Sequence, residues 1–424
     1  MPRRLTSGSL AGVLMVGLAV LGAVTFAART IAPAVDHLRY GFPAYYTSSR
    51  LALSGAWTTD VYDNDWFSAR VMDLTAGAIG ETYRPNTPVM SLMATPIAGF
   101  DILTARRVWL AVDLVLLVVT VVMLLAALPA LRAPPLAAAF VALCLWWWPL
   151  RETVSLGQAY ALMLVLQALA LWALLRGRES AAGVAVGLAT AMKLASIPLF
   201  LVLVIRGSRR AVAVTVVVAI ALAAATLPFA GLAGWTGFAR AVVDDVVDPP
   251  TYLSLTAVQS ATGFLAHLFV PDARWNPGAV AALPGLATAV AVAATTVALG
   301  VTVWLGRRGR LDVAAAAAIT AGVLVLNVAQ EYHFAVLLVP AAVALARWSE
   351  TEDRSALETL WLVGALVLLA APLPYEDPAL TAGWMALLAY PRLYGAWLLW
   401  AWLIRGLLVE RRTAAGVQVS AVGR

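Results

Sequence analysis

"SLAGVLMVGLAVLGAVTFAA", residues 9 to 28, carries no charged side chain. Its length matches the ~20 residues that a helix needs to cross roughly 30 Å of hydrocarbon. The stretch follows "MPRR", a flank that a secretory signal would share. The apolar region of a signal is, however, only about 7 to 15 residues long and ends at a small-residue cleavage site. We therefore read an uncleaved first span with a cytoplasmic N-terminus. The whole chain agrees, because 62% of its 424 residues are hydrophobic and 12% are charged, far from the balance of a soluble domain. Residues 1–424 are expected to form one all-α polytopic membrane domain.

Further apolar spans are predicted near residues 108–130, 135–150, 158–175, 194–205, 211–229, 281–305, 312–329, 334–347, 356–372 and 384–404. Two pieces, 88–100 and 181–193, are too short to cross upright. Tilted, broken or re-entrant backbone of that kind is tolerated only where protein or a watery cavity covers it. Arginine-rich loops set the orientation: "RGRES" at 176, "RGSRR" at 206, "RRGR" at 307, "RWSETEDR" at 347 and "VERR" at 409 read as cytoplasmic, as the positive-inside rule expects. The same rule accounts for the net charge of +6, so a nucleic-acid partner is not called for. "TARR" at 104 and "LRAPP" at 131 conflict with it, since one span separates them. The single Cys144 allows no internal disulfide.

On the opposite side lie two polar segments, residues 29–87 and 231–280, read as the first and second extracytoplasmic loops. A loop as long as the first usually has structure or function of its own. Within it "YYTSSRLALSG" and "DWFSARVMDLTAG" have helical apolar spacing, which predicts two short amphipathic helices at the interface.

Ionisable groups at membrane depth are costly and mark function by default. Lys193, the sole lysine, sits inside "GLATAMKLASIPLF" (187–200). Its plainer reading is a side chain that snorkels to the interface; the functional one is a compact cation presented to a lipid phosphate. Glu331 and His333 of "NVAQEYHFAVLLVP" (327–340) end a span on the outer side, where His333 is either an interfacial anchor or part of a site. "RETVSLGQAY" (151–160) reads as a turn beside a polar cavity, or as an ordinary loop.

Taken in order, "FPAYYTSSRLALSG" (42–55), "VYDNDWF" (61–67), "YRPNTPVMSLMATPIA" (83–98), "LGQAYALMLVLQALAL" (156–171), "AMKLASIPLFLVL" (191–203) and "EYHFAVLLVPA" (331–341) resemble the motifs of glycosyltransferase family 87. The resemblance implies a GT-C-like bundle of roughly 10 to 13 spanning helices. It also implies transfer of mannose or arabinofuranose from a polyprenyl-phosphate donor to a lipid or glycan acceptor at the outer face of the cell membrane. Tyr45, Tyr46, Arg50, Arg84, Asn86, Gln158 and Lys193 would then bind substrate. Two positions depart from the pattern: Gly41 stands where the family has its catalytic aspartate, and Tyr332 where it has the first of two histidines. A base must reach the acceptor hydroxyl and positive charge must meet the departing phosphate. Asp63, with Asp60 and Asp65 beside it, is the expected base, and Glu331 and His333 are further catalytic candidates. No nucleotide-binding glycine loop occurs and no cofactor is required. No spacing demands a metal, and a divalent ion is left open. The alternative of another class is a transporter or flippase of a lipid-linked substrate, which commonly has repeated halves; no repeat is visible. A scaffold is the third reading, disfavoured by the large polar outer loop.

This orientation places residues 29–87 and the "QEYHF" turn on one side of the membrane. Single cysteines at Thr58 and Gln330 should therefore react with an impermeant thiol reagent from the same side. Labelling from opposite sides contradicts the shared face.

Overall fold

The computed structural model describes residues 7–247, 250–352 and 355–422. "MPRR", and with it the expected cytoplasmic N-terminus, lies outside the described residues. Among those residues the chain is helical without a strand. In chain order the helices are α1 Ser7–Phe26, α2 Ala32–Asp36, α3 Phe42–Ser54, α4 Asn64–Leu74, α5 Ile102–Ala127, α6 Pro134–Trp146, α7 Trp148–Leu156, α8 Tyr160–Leu175 and α9 Glu179–Met192. They continue as α10 Ile197–Ile205, α11 Arg209–Val247, α12 Ala261–Phe269, α13 Pro284–Arg308, α14 Leu311–Leu324, α15 Leu338–Glu350, α16 Ala356–Ala370 and α17 Pro391–Val422.

The arrangement is that of a membrane bundle. Its shell helices turn apolar side chains outward: Leu14 and Val20 of α1, Val115 and Val118 of α5, Val217 and Ile220 of α11, Leu360 of α16. In water such a surface would aggregate; in hydrocarbon it is solvated. Inside the shell lie shorter helices, and α14 is buried from Asp312 to Leu324. Its alanine run lets neighbours approach closely, the packing mode that dominates where no hydrophobic effect drives helices together.

One end of the bundle collects the arginine loops. Arg132 and Arg176 both donate to the Ala126 carbonyl, at 2.8 and 3.2 Å. Arg206 donates to the Gly309 carbonyl, and Arg347 pairs with the buried Asp312. The conflict between "TARR" and "LRAPP" resolves here, because α5 carries them to opposite ends. Arg106 is not a loop cation: it is fully buried and donates to the Val154 carbonyl at 2.5 Å.

α9 and α10 form a hairpin rather than two spans. From the arginine end α9 rises 14 residues, about 21 Å, short of the roughly 30 Å of hydrocarbon, and α10 returns to Arg206. The chain cannot continue as one helix, because Pro198 lacks an N–H and its ring would strike the carbonyl four residues earlier. It is accommodated instead in the first turn of α10. At the tip Lys193 is extended, with φ −142° and ψ 128°. Two close approaches fix the hairpin. A Cβ on Gly183 would lie 2.5 Å from the Ala211 carbonyl of α11, and one on Gly322 of α14 would lie 2.0 Å from the Ala195 carbonyl.

The outer segments differ in part from expectation. α1, a π-helical turn (Ala27–Ile31) and α2 run on to Asp36, so the first polar loop begins near residue 37 rather than 29. Both short helices form within it, but α3 is buried from Phe42 to Ser49 and belongs to the core instead of lying on the interface. α4 has the expected one-sided burial, through Phe67 and Val71. α11 extends through much of the second segment, broken at Gly231 (φ 58°, ψ −172°), and its outer half packs on the first loop, Phe238 against Tyr62 at 6.3 Å.

A buried ion pair ties together the end of the bundle opposite the arginine loops. Arg392, fully buried at the start of α17, donates from Nε to both Glu331 oxygens, at 2.8 and 3.0 Å. Its other nitrogens donate to the carbonyls of Leu368 and Ala371 at the C-terminal end of α16, at 2.6 and 2.7 Å. Tyr375 donates to Glu331 Oε2. Removing one partner strands the other, a loss typically of about 3–5 kcal/mol. Arg392→Met should lower the midpoint of SDS-induced unfolding accordingly, and Arg392→Met with Glu331→Gln should recover part of it. An unchanged midpoint in the single variant contradicts the tie.

Candidate functional site

Four elements meet at the end of the bundle opposite the arginines: the start of α3, the turn between α7 and α8, the tip of the α9–α10 hairpin, and the turn before α15. The α7–α8 turn is a Schellman cap. Gln158 N–H donates to the Thr153 carbonyl at 2.9 Å and Gly157 N–H to that of Val154 at 3.3 Å, with Gly157 left-handed at φ 66°, the geometry that favours glycine. Arg106 sits under the cap through its bonds to the Val154 and Ser155 carbonyls. The turn thus holds Gln158 against α3, where its Oε1 accepts a 2.6 Å bond from the Tyr45 hydroxyl.

α3 starts at Gly41, whose φ of 112° strains any other residue. A Cβ there would lie 2.7 Å from both Gln158 Nε2 and the Leu156 carbonyl. The Gly41 N–H donates instead to Glu81 Oε1 at 2.6 Å. A carboxylate at a helix N-terminus satisfies an orphan amide and suits the helix dipole. The other oxygen, Oε2, is buried and has no protein hydrogen-bond partner. Burial pushes the Glu81 carboxyl up to about 8, against the downward pull of the Gly41 and Ala44 amides and the Lys193 ammonium.

Lys193 reaches into the same space. Its ammonium donates to Asn86 Oδ1 and stands 5.9 Å from the centre of the Tyr160 ring. Thr87, next to Asn86, donates to the Ala191 carbonyl at 2.8 Å and so fastens the first loop to the end of α9. The first loop, not the bulk interface, satisfies this cation, which argues against simple snorkelling. The turn before α15 brings an aromatic stack: His333 lies on Tyr332 at 4.4 Å and against Tyr160 at 4.7 Å. His333 Nδ1 accepts from the Gln330 N–H at 3.0 Å.

Beside the hairpin tip a mostly apolar groove of about 270 Å³ opens between α9 and α11. Leu194, Ala219, Ile220, Ala223, Trp235 and Phe238 are among its walls.

Of the expected site residues, Lys193, Asn86, Tyr45, Gln158 and His333 come together. The aspartates lie apart from that group. Asp63 caps α4 by accepting the Trp66 N–H at 2.8 Å, Asp60 accepts from Thr58 at 3.1 Å, and all three of Asp60, Asp63 and Asp65 are exposed. Glu331 is the Arg392 and Tyr375 partner and holds its turn. Tyr46 is bonded to the Phe100 carbonyl at 2.6 Å with Arg50 on its hydroxyl at 3.1 Å. Arg84 pairs with Asp245 at 3.1 Å and the Ala241 carbonyl at 2.8 Å, fixing the outer half of α11 rather than lining the centre. Glu81, Tyr160 and Tyr332 were not expected in a site. Only Glu81 had a readable signal, as a carboxylate just ahead of "YRPN", and nothing local marked it above the loop's other acids.

Among the described residues no group of three or more histidine, cysteine, aspartate or glutamate side chains could hold a metal ion. No curated protein and no solved structure matches the chain. The model of glycosyltransferase family 87 matches residues 85–330, more than half of the chain, a stretch that includes Asn86, Gln158 and Lys193. With that match over a helical membrane bundle, the chain belongs to glycosyltransferase family 87, a family of membrane glycosyltransferases.

Proposed function

We propose that the protein moves a sugar of the mannose or arabinofuranose class from a polyprenyl-phosphate donor to a lipid or glycan acceptor on the outer face of the cell membrane. The observation that carries this reading is the pairing of a cation with an apolar groove. Lys193 presents its ammonium at the tip of a helix hairpin inside the bilayer, and the groove between α9 and α11 begins at the next residue, Leu194. A phosphate with a long hydrocarbon tail suits both at once, whereas a soluble sugar nucleotide has no use for the groove. Direction in the membrane follows from the arginine loops at the other end.

The residues divide the work. Lys193 meets charge that grows on the phosphate as the sugar leaves, in a setting from which bulk water is largely excluded. Asn86 fixes the ammonium. Tyr332, the partly exposed member of the aromatic group, offers a ring face that suits a sugar, backed by the buried Tyr160 and His333, and Gln158 orients the buried Tyr45 behind them. The donor supplies its own activation, so the chemistry calls on no nucleotide and no cofactor.

Purified protein in nanodiscs, given radiolabelled polyprenyl-phosphate mannose or arabinose and a membrane-lipid acceptor pool, should place label in a new glycolipid or glycan. Label that crosses a vesicle unchanged would instead mark a transporter. Lys193→Ala should raise the donor KM about 10- to 100-fold, the worth of roughly 1.5–3 kcal/mol for a charged hydrogen bond. Lys193→Arg should restore only part, since a planar fork does not place charge where a compact ammonium does. Donor curves unchanged in both variants would rule out the phosphate contact.

A further inference from the structure

Proton abstraction from the acceptor needs a carboxylate or imidazole with a lone pair to spare, and the distribution of partners around the site narrows the choice. Asp60, Asp63 and Asp65 are exposed, with Asp63 spent on a helix cap. Both oxygens of Glu331 are taken by Arg392 and Tyr375. His333 Nδ1 accepts the Gln330 amide, which puts the proton of the neutral ring on Nε2 and leaves that imidazole no free lone pair. Glu81 alone among these carboxylates combines one anchored oxygen with one that is buried and unpartnered, in electrostatic reach of the phosphate-binding candidate Lys193.

We propose that Glu81 is the general base of this enzyme, an inference that rests on the glycosyltransferase reading above. Its Oε1 is held by the Gly41 N–H and its Oε2 takes the proton of the acceptor hydroxyl. As that proton leaves, the hydroxyl oxygen forms a bond to the anomeric carbon. The bond from that carbon to the phosphate oxygen breaks, and its electron pair departs with the phosphate, where Lys193 meets it. No further reactant is needed, and attack opposite the leaving phosphate inverts the anomeric centre. The bare amide of Gly41 is what admits this carboxylate. A side chain at position 41 would be driven into Gln158 and the Leu156 carbonyl, so the acid arrives from forty residues downstream instead.

The groups that act on Glu81 set its pH behaviour. The Gly41 and Ala44 amides of α3 and Lys193 at the hairpin tip favour its charged form, while burial opposes it. Tyr45 of α3 and Tyr332 of the turn before α15 also feel its charge, and burial together with that charge pushes both upward, so they are neutral around pH 7. A carboxyl raised to about 8 is mostly protonated at neutral pH, and a base works only when ionised. The pH profile of kcat/KM, which reports the free enzyme, should therefore climb as pH rises toward that value.

The test uses the full-length protein in nanodiscs. Glu81→Gln keeps the size of the side chain and an acceptor for the Gly41 amide, and it should lower kcat at least about 100-fold. Its donor KM should stay within about threefold of wild type, and Glu81→Asp should keep a few per cent of kcat. Turnover of Glu81→Gln within threefold of wild type would mean that Glu81 only caps α3, and would overturn the proposal. Should that variant misfold, Glu81→Asp decides, and wild-type turnover in that variant overturns the proposal equally. A wild-type protein inert toward every polyprenyl-phosphate sugar overturns the glycosyltransferase reading and this base together.

Discussion

A cation placed inside a bilayer must find polar partners within the protein or stretch toward water. Lys193 does the former, and much of the architecture is arranged around that requirement. The α9 arm of the hairpin has 14 residues, about 21 Å, short of a full crossing of roughly 30 Å of hydrocarbon, and the ammonium sits at its tip. Irregular backbone at such depth survives only under cover, and the first polar loop provides it, bonded to α9 through Thr87 and supplying Asn86 to the lysine. Gly183 and Gly322 let α11 and the 194–196 turn close in from either side. What results is a positive point with aromatic walls and a lipid-accessible groove at its flank.

The charges of the outer end separate into two kinds. Arg392 and Glu331 are engaged by carbonyls and by each other, and such groups build: they join α16 to α17 and hold the turn that carries Tyr332 and His333. Lys193 and Glu81 keep capacity in reserve, a phosphate-sized attraction in one and a bare oxygen in the other. Buried polar groups left partly unsatisfied are costly, which is why reserve of this sort concentrates where a substrate will complete it.

The membrane class was legible, because a run such as residues 9–28 has one physical solution. The helix break at Lys193 and the Gly157–Gln158 turn were legible too, since each interrupts an apolar or helical pattern in a specific way. Arg106 misled, because a buried arginine serving a helix C-terminus has the same local sequence as a loop cation. The contact between Glu81 and Gly41 was obscured for a related reason. Glu81 and Gly41 are forty residues apart, and neither is informative without the backbone that brings them together, whereas Asp63 stands beside tyrosines in a motif and turns out to cap a helix. Glu331 shows the same limit: only the position of Arg392, sixty residues on, reveals its task.

The central claim is that Lys193 receives the phosphate of a lipid-linked donor. An experimental structure of the protein in nanodiscs with a polyprenyl phosphate bound tests it most directly. The account predicts the phosphate within about 3 Å of Lys193 Nζ, the hydrocarbon chain in the groove between α9 and α11, and the sugar-bearing side facing Glu81 and the tyrosines. A phosphate bound among the arginines at the opposite end, or a chain that enters away from α11, would contradict it.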